Sequence, residues 1–304
     1  MIYTVTLNPS LDYFLSVEHF AIGKTNRSDA EVYRPGGKGI NVSWVLHNLG
    51  LESTVLGFLA GFTGQEIKRQ MESTGITTDF IELSQGMSRL NVKIKQMDAT
   101  EINASGPILS EENLKQLRKK LAVLKKGDIL ILSGSLPGSV PTDIYKTLME
   151  QVQGKEIPVI VDAIGDALLK TLPLHPFFIK PNHQELSELF DVELTTREQV
   201  IPYAKKLQEQ GARNVLVSLG GAGAVLVDQD GCIHESEVPK GKLINAVGAG
   251  DSMVAGFLTG YLEKRDMEHA FLMGVATGSA SAFSEGLADR AMVERLYQQI
   301  LEER

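Results

Sequence analysis

The sequence predicts an α/β protein, a doubly wound and mainly parallel sheet flanked by helices, with a small second β-sheet. Three observations carry this prediction. Apolar runs of strand length alternate with amphipathic helical stretches throughout the 304 residues. Four of those runs, 128–132, 158–161, 177–179 and 214–217, are continuously hydrophobic, as strands buried on both faces are. Residues 89–95 instead alternate strictly between polar and apolar, the mark of a sheet with one wet face.

The elements follow in order. Residues 1–7 open directly in a strand pattern, without the basic start and apolar core of a signal peptide. Weaker alternation at 13–17 and 30–33 joins the 89–95 run in a small, partly antiparallel sheet, with Arg89, Asn91, Lys93 and Lys95 on its polar face. Helical periodicity follows at 42–49, 111–124, 143–153, 184–189, 197–210 and 253–262, and a short strand at 224–227. No linker or repeat divides the chain, so 1–304 reads as one domain with the small sheet's strands inserted at about 12–35 and 88–104. A one-sided sheet leaves an apolar face needing cover, which predicts a lid that also pairs with a second subunit, a homodimer.

The bulk numbers narrow the partners. A formal charge of −8 argues against nucleic acid and anionic membranes, and no run approaches a membrane helix. Cys232 is the one cysteine, so there is no intrachain disulfide, and a reducing cytoplasm fits best.

Each continuous strand ends in a polar, glycine- or proline-marked turn. These are Ser133-Gly134-Ser135-Leu136-Pro137, Asp162-Ala163, Lys180-Pro181-Asn182 and Ser218-Leu219-Gly220-Gly221. Parallel strands deliver their carboxyl ends to one edge, so all four turns are expected at one crevice, where open α/β sheets bind ligands.

The sharpest chemical signal is Asn245-Ala246-Val247-Gly248-Ala249-Gly250-Asp251-Ser252. Small residues leave amides bare at a helix start, which with the macrodipole makes an anion site. An aspartate there competes with a bound anion unless it faces a hydroxyl while the amides face a phosphoryl group. Asp251 is therefore either a first-turn acid that caps the helix or the general base of a phosphotransferase, and the glycines favour the base. The helix terminus is expected to lower its pKa.

Four further segments each admit two readings. Arg34-Pro35-Gly36-Gly37-Lys38-Gly39-Ile40-Asn41 is a mere turn, or a close-approach loop with a cationic Lys38 and a hydroxyl-binding Asn41; it lacks Walker A spacing. Asp12 is a turn residue or grips sugar hydroxyls. Asn182 and Glu185, three apart, form a capping box or hold Mg²⁺ through water. Ser218 to Gly223 is a hairpin turn or admits a nucleotide, and the small residues 274–282 pack a helix closely or make room for adenine.

Taken together these segments resemble the ribokinase-like sugar kinases, in their phosphofructokinase B branch. The likeness rests on Gly36-Gly37-Lys38-Gly39-Ile40-Asn41, Lys180-Pro181-Asn182-x-x-Glu185 and Val247-Gly248-Ala249-Gly250-Asp251, in that order. Within the branch, Thr4–Pro9, Gly39–Ser43, Asn91–Lys95 and Thr100–Asn103 are most similar to the bacterial 1-phosphofructokinase group.

The resemblance implies ATP-dependent phosphorylation of fructose 1-phosphate. Asp251 would be the base, and Gly248, Ala249 and Gly250 the anion hole. Asp12, Gly36, Gly37 and Asn41 would hold the sugar, while Lys38, Arg89 and Arg27 bind its existing phosphate. Lys180, Asn182 and Glu185 would organise Mg²⁺ and ATP, and Ser218, Gly220, Gly221 and Gly223 line the nucleotide site. Ala246 departs from the hydroxyl or proline usual in such relatives.

Rival substrates are tagatose 6-phosphate and fructose 6-phosphate; Lys38 weighs against the latter. A non-catalytic sugar-phosphate sensor has no use for Asp251. A dinucleotide oxidoreductase needs a third glycine where Met253 stands.

Overall fold

The computed structural model describes residues 1–94 and 100–304; Lys95 of the polar-face reading lies outside the described residues. The strands are β1 (Ile2–Thr6), β2 (Ser10–Ser16), β3 (Ala30–Gly36), β4 (Ser53–Ala60), β5 (Thr77–Thr78), β6 (Ile81–Leu83), β7 (Arg89–Ile94) and β8 (Thr100–Ile102). They continue with β9 (Ile129–Ser133), β10 (Val159–Asp162), β11 (Phe178–Ile179), β12 (Asn214–Ser218), β13 (Ala224–Val227) and β14 (Ile233–Ser236). The helices are α1 (Lys38–Asn48), α2 (Gly61–Ser73), α3 (Glu111–Ala122), α4 (Ile144–Glu150), α5 (Gly165–Leu169), α6 (His183–Phe190), α7 (Arg197–Glu209), α8 (Ala249–Lys264), α9 (Met267–Ala282) and α10 (Arg290–Glu302).

The main sheet runs β14-β13-β12-β11-β10-β9-β1-β4-β5, with β6 also beside β4, and all its pairings are parallel except those of β13. Continuous hydrophobicity has the expected cause. Leu130 and Leu132 of β9 join one buried core with Leu117, Leu148 and Leu207, while Ile129 and Ile131 join a second with Val45, Val254 and Phe257. Helices therefore cover both faces, and the carboxyl ends of the strands are where the polar turns can meet.

A second sheet runs β3-β2-β7-β8; β2 pairs antiparallel with β3 and parallel with β7, and β7 pairs antiparallel with β8. Its polar face is less wet than the alternation suggests, since Asn91 is buried and hydrogen-bonded to Asp12. Arg89 and Lys93 are half-buried, and Lys93 borders a cavity rather than open surface.

Helix α1 begins four residues earlier than its periodicity predicts, because Gly39 lowers local helix propensity. Packing overrides propensity there: a Cβ on Gly39 would stand 2.4 Å from Thr6 Oγ1 and 3.2 Å from the Val5 carbonyl. Lys38 and Asn41 consequently lie in a helical first turn. Among the described residues no helix is long and apolar enough to cross a membrane.

Candidate active site

Helix α8 starts at the open edge of the sheet. Gly248 caps it at φ +80°, a conformation few other residues adopt without cost, and a side chain there would also strike Leu287. The turn before it is braced by Asn245, whose Oδ1 accepts from the Val247 amide at 3.1 Å. The Ala249 amide turns back to the Ala246 carbonyl at 3.2 Å, and the first amide to reach a carbonyl four residues back is that of Ser252. Among the described residues, the amides of Gly248, Gly250 and Asp251 reach no carbonyl and remain as donors for a ligand, while that of Ala249, also assigned to the anion hole, is spent on Ala246.

Asp251 is only 7% exposed. Its Oδ2 accepts from Asn41 Nδ2 at 2.7 Å, so the first turns of α1 and α8 are joined directly. Burial, then the charge of Asp162, raise its pKa from 3.8 to about 6 against the pull of Lys38, Asn41 and Lys180. The expected lowering by the helix terminus is therefore corrected: desolvation by the packed site outweighs the dipole.

Behind Asp251 stands a set of charges. Lys38 Nζ donates to Asp162 Oδ1 at 3.0 Å and lies 3.8 Å from Glu185 Oε1, and Lys180 Nζ is 3.8 Å from the same Asp162 oxygen. Burial works against the Lys38 charge, yet Asp162, Asp251 and Glu185 push its pKa above the ordinary lysine value. Burial likewise opposes ionisation of Asp162, and Lys180 and Lys38 outweigh it. Lys38, expected at the sugar's existing phosphate, thus holds its ammonium on Asp162, with Glu185 of the residues assigned to ATP nearby.

Asn182 and Glu185 form the capping box of α6, with Glu185 N–H donating to Asn182 Oδ1 and Asn182 N–H to Glu185 Oε2, both at 2.8 Å. The box spends one oxygen of each residue and leaves Glu185 Oε1 facing Lys38. Among the described residues, no three His, Cys, Asp or Glu side chains are arranged to hold a metal ion.

A cavity of about 850 Å³ gathers most of the remaining assignments. Lys38, Lys180, Asn182 and Glu185 line it, as do Ser218, Gly220, Gly221 and Gly223 from the turn after β12. Gly248, Ala249, Gly250 and Asp251 form its inner end. The small-residue helix serves close packing at one residue and borders the cavity at others. Gly274 packs α9 against Met253 and Phe257 of α8, whereas Val275, Gly278, Ser279 and Ala282 face the cavity.

The other assignments lie toward the small sheet. Asp12 is buried, and a Cβ on Gly36 would stand 2.5 Å from its Oδ2. Gly37 caps α1 at φ +115°. Arg89, one rung along the sheet from the Asp12–Asn91 pair, donates from Nε to the Asn8 carbonyl at 3.0 Å. Arg27 is exposed and is not among the residues lining the cavity.

Two contributions escape sequence reading. Asp162 was expected at the crevice as part of the turn after its strand, but its role there, fully buried at the end of β10 as partner of both Lys38 and Lys180, was not. Ser10, whose Oγ donates to Asp12 Oδ1 at 2.6 Å, carried no signal at all.

The chain matches the pfkB family carbohydrate kinase description over residues 6–293. It is 47% identical over 300 residues to the 1-phosphofructokinase of Bacillus subtilis, covering 99% of this chain and 98% of that one. It is 37% identical over 301 residues to the D-tagatose-1-phosphate kinase of Bacillus licheniformis, covering 99% and 98%. Among solved structures, phosphofructokinase-2 of Escherichia coli in complex with substrates and products superposes with a TM-score of 0.92 at 31% identity, covering 99% of each chain.

Proposed function

The chain belongs to the pfkB family of carbohydrate kinases, and from that premise we propose that it phosphorylates fructose 1-phosphate with ATP to give fructose 1,6-bisphosphate. The observation that carries the chemistry is Asp251, a buried carboxylate in the first turn of α8, where amides are left without an internal acceptor, and within the field of Lys38 and Lys180. The sugar's primary hydroxyl oxygen forms the new bond to the γ-phosphorus as the bond to ADP breaks, and its proton passes to Asp251. Because the transition state is loose, the proton leaves late, and positioning with charge stabilisation supplies most of the acceleration. The amides of Gly250 and Asp251 hold the travelling phosphoryl group, and Lys38 neutralises its charge from the nucleotide side. Asp12, Gly36, Gly37 and Asn41 hold the sugar, with Arg89 at its existing phosphate.

Lys38 and Lys180 are already engaged by Asp162 and Glu185, and Lys240, also on the cavity, by Glu303, so a bare triphosphate would compete with these carboxylates for cationic charge. Glu185 Oε1 fits a hydrated Mg²⁺ arriving with ATP, held through water; when bound, the ion offsets phosphate charge. Asn182 acts through the capping box, by fixing Glu185.

The substrate assignment rests on likeness along the whole chain to a protein named for fructose 1-phosphate. A second reading, tagatose 1-phosphate, draws on the D-tagatose-1-phosphate kinase. A coupled ADP-release assay at limiting fructose 1-phosphate, tagatose 1-phosphate, tagatose 6-phosphate and fructose 6-phosphate decides between them. The highest kcat/KM is expected with fructose 1-phosphate, and preference for another overturns the assignment.

We also assign the homodimer contact to the small sheet's outer face. Tyr33 there is 48% exposed and lies across from Tyr13, near the 65% exposed Phe62 of α2. Sedimentation equilibrium is expected to give a dimer that Tyr33→Glu dissociates; a wild-type monomer at tens of micromolar rejects the assignment.

A further inference from the structure

The small sheet presents two successive rungs toward the cleft. In the first, Asp12 lies between Arg34 and Asn91; in the next, Phe14 lies between Val32 and Lys93, and Lys93 is in register with Glu101 of β8. Asp12 Oδ1 is saturated, accepting from Ser10 Oγ at 2.6 Å and Asn91 Nδ2 at 2.9 Å. Oδ2 accepts no hydrogen bond among the described residues. It sits against Gly36 and 3.6 Å from Lys93 Nζ, beyond hydrogen-bond reach.

Lys93 is similarly underused. Its side chain is 13% exposed, and its ammonium donates to Glu101 Oε1 at 2.9 Å while standing 5.6 Å from the centre of the Phe14 ring. An ammonium has three donors, and Glu101 takes one of them. An unspent donor and an unspent acceptor therefore face one point. Beside it lies a cavity of about 330 Å³, closed on the far side by Ile244, Asn245 and Val247, the segment that leads into the anion hole.

A carboxylate alone accepts from any hydroxyl or amine. A carboxylate coupled to an ammonium is complementary to a group that donates and accepts at once, which is a hydroxyl. We propose that Lys93 is a specificity-determining residue that, with Asp12 Oδ2, grips one secondary hydroxyl of the acceptor sugar. The hydroxyl donates to Asp12 Oδ2, and its oxygen accepts from Lys93 Nζ. Glu101 and Phe14 hold the ammonium in place, so that removing the sugar's hydroxyl strands a buried carboxylate oxygen and a largely covered ammonium. This inference rests on the sugar-phosphate kinase reading above.

The test pairs Lys93→Met and Lys93→Arg with the best sugar phosphate of the wild-type panel and its 3-deoxy and 4-deoxy analogues. Wild-type turnover of the panel is read first, so a failure of the kinase reading is seen independently of Lys93. Lys93→Met is expected to lower kcat/KM for the sugar phosphate roughly 10- to 100-fold, with KM for ATP unchanged. Against one of the deoxy analogues, variant and wild type should agree within about twofold, because the shared partner is gone. Lys93→Arg should recover part of the loss. Equal losses on the parent and both analogues would make Lys93 merely structural and overturn the proposal, as would an unchanged kcat/KM. Should Lys93→Met fail to fold, Glu101→Gln replaces it in the same comparison. A smaller loss that vanishes on one analogue supports the grip, and a uniform loss rejects it.

Discussion

Replacing Asp251 by Asn tests the base and the electrostatics together, because the two make opposite predictions for activity and stability. The amide preserves shape, and its oxygen can still accept from Asn41 Nδ2, which now approaches Asp251 Oδ2 at 2.7 Å. Loss of a positioned base is expected to cost about 10²–10⁴ in kcat, with sugar-phosphate binding retained. Stability should move the other way. Raising this carboxylate from 3.8 to about 6 means that its charge opposes folding by about 3 kcal/mol, at about 1.36 kcal/mol per pKa unit. The sign follows from proton uptake: between the unfolded and folded values the native state binds the extra proton, so wild-type stability falls as pH rises through that window. The cost is absent below about pH 4 and fully present above about pH 7. Asp251→Asn should therefore melt about 5 °C higher than wild type at pH 7.5, and at a nearly equal temperature at pH 4. Calorimetry at both pH values, with a coupled ADP assay, reads the result. Turnover within tenfold of wild type would remove Asp251 from the chemistry. An unchanged or lower melting temperature at pH 7.5 would refute the argument from buried charge.

Wild-type kcat/KM should fall as pH drops through about 6, where Asp251 gains its proton; Asp162→Asn should move that acid limb lower, since it removes a neighbouring anion and frees Lys38 and Lys180. A limb that stays in place would show that Asp162 does not act on Asp251. Gly39→Ala should destabilise the fold by about 1–3 kcal/mol in urea unfolding, because its Cβ meets the Val5 carbonyl as well as Thr6; an unchanged midpoint would mean that the α1 start relaxes freely.

What the sequence reveals and what it hides divide along a physical line. The continuous run ending at Leu132 announces a strand covered on both sides, and two separate cores do cover it. Parallel strands then oblige Lys180, Asn182, Ser218 and Gly220 to meet, as they do around one cavity. Motif positions are legible for the same reason: a glycine at φ +80° before a helix declares itself. Directions are not. Lys38 has a flexible four-carbon stem, and only the buried Asp162, 124 residues away, decides that its ammonium turns toward Glu185. Lys93 looked like one of several cations on a solvated face until the register set it between Phe14 and Glu101, with its ammonium reaching back to within 3.6 Å of Asp12.

Asp251 shows the same division within a single residue. Its place in the first turn of α8 is a property of local sequence, and that place alone favours the charged form by about 0.3–1 kcal/mol, less than one pKa unit. Enclosure by α1, α9 and the neighbouring turns is tertiary, and full burial moves a carboxylate upward by as much as 3–5 units. The second effect is the larger, and Asp162 adds to it, so the sign reverses. The reversal bears on function. A carboxylate held well below 3.8 would be a feeble proton acceptor, whereas one near 6 is mostly ionised at pH 7.5 and still basic enough to take a late proton. Asn41 and Lys38 keep it from rising further, and both come from the first turn of α1. The glycine-rich entry to that helix, which brings the chain close to Thr6 and Asp12, thereby also sets the strength of the base at the far end of the sequence.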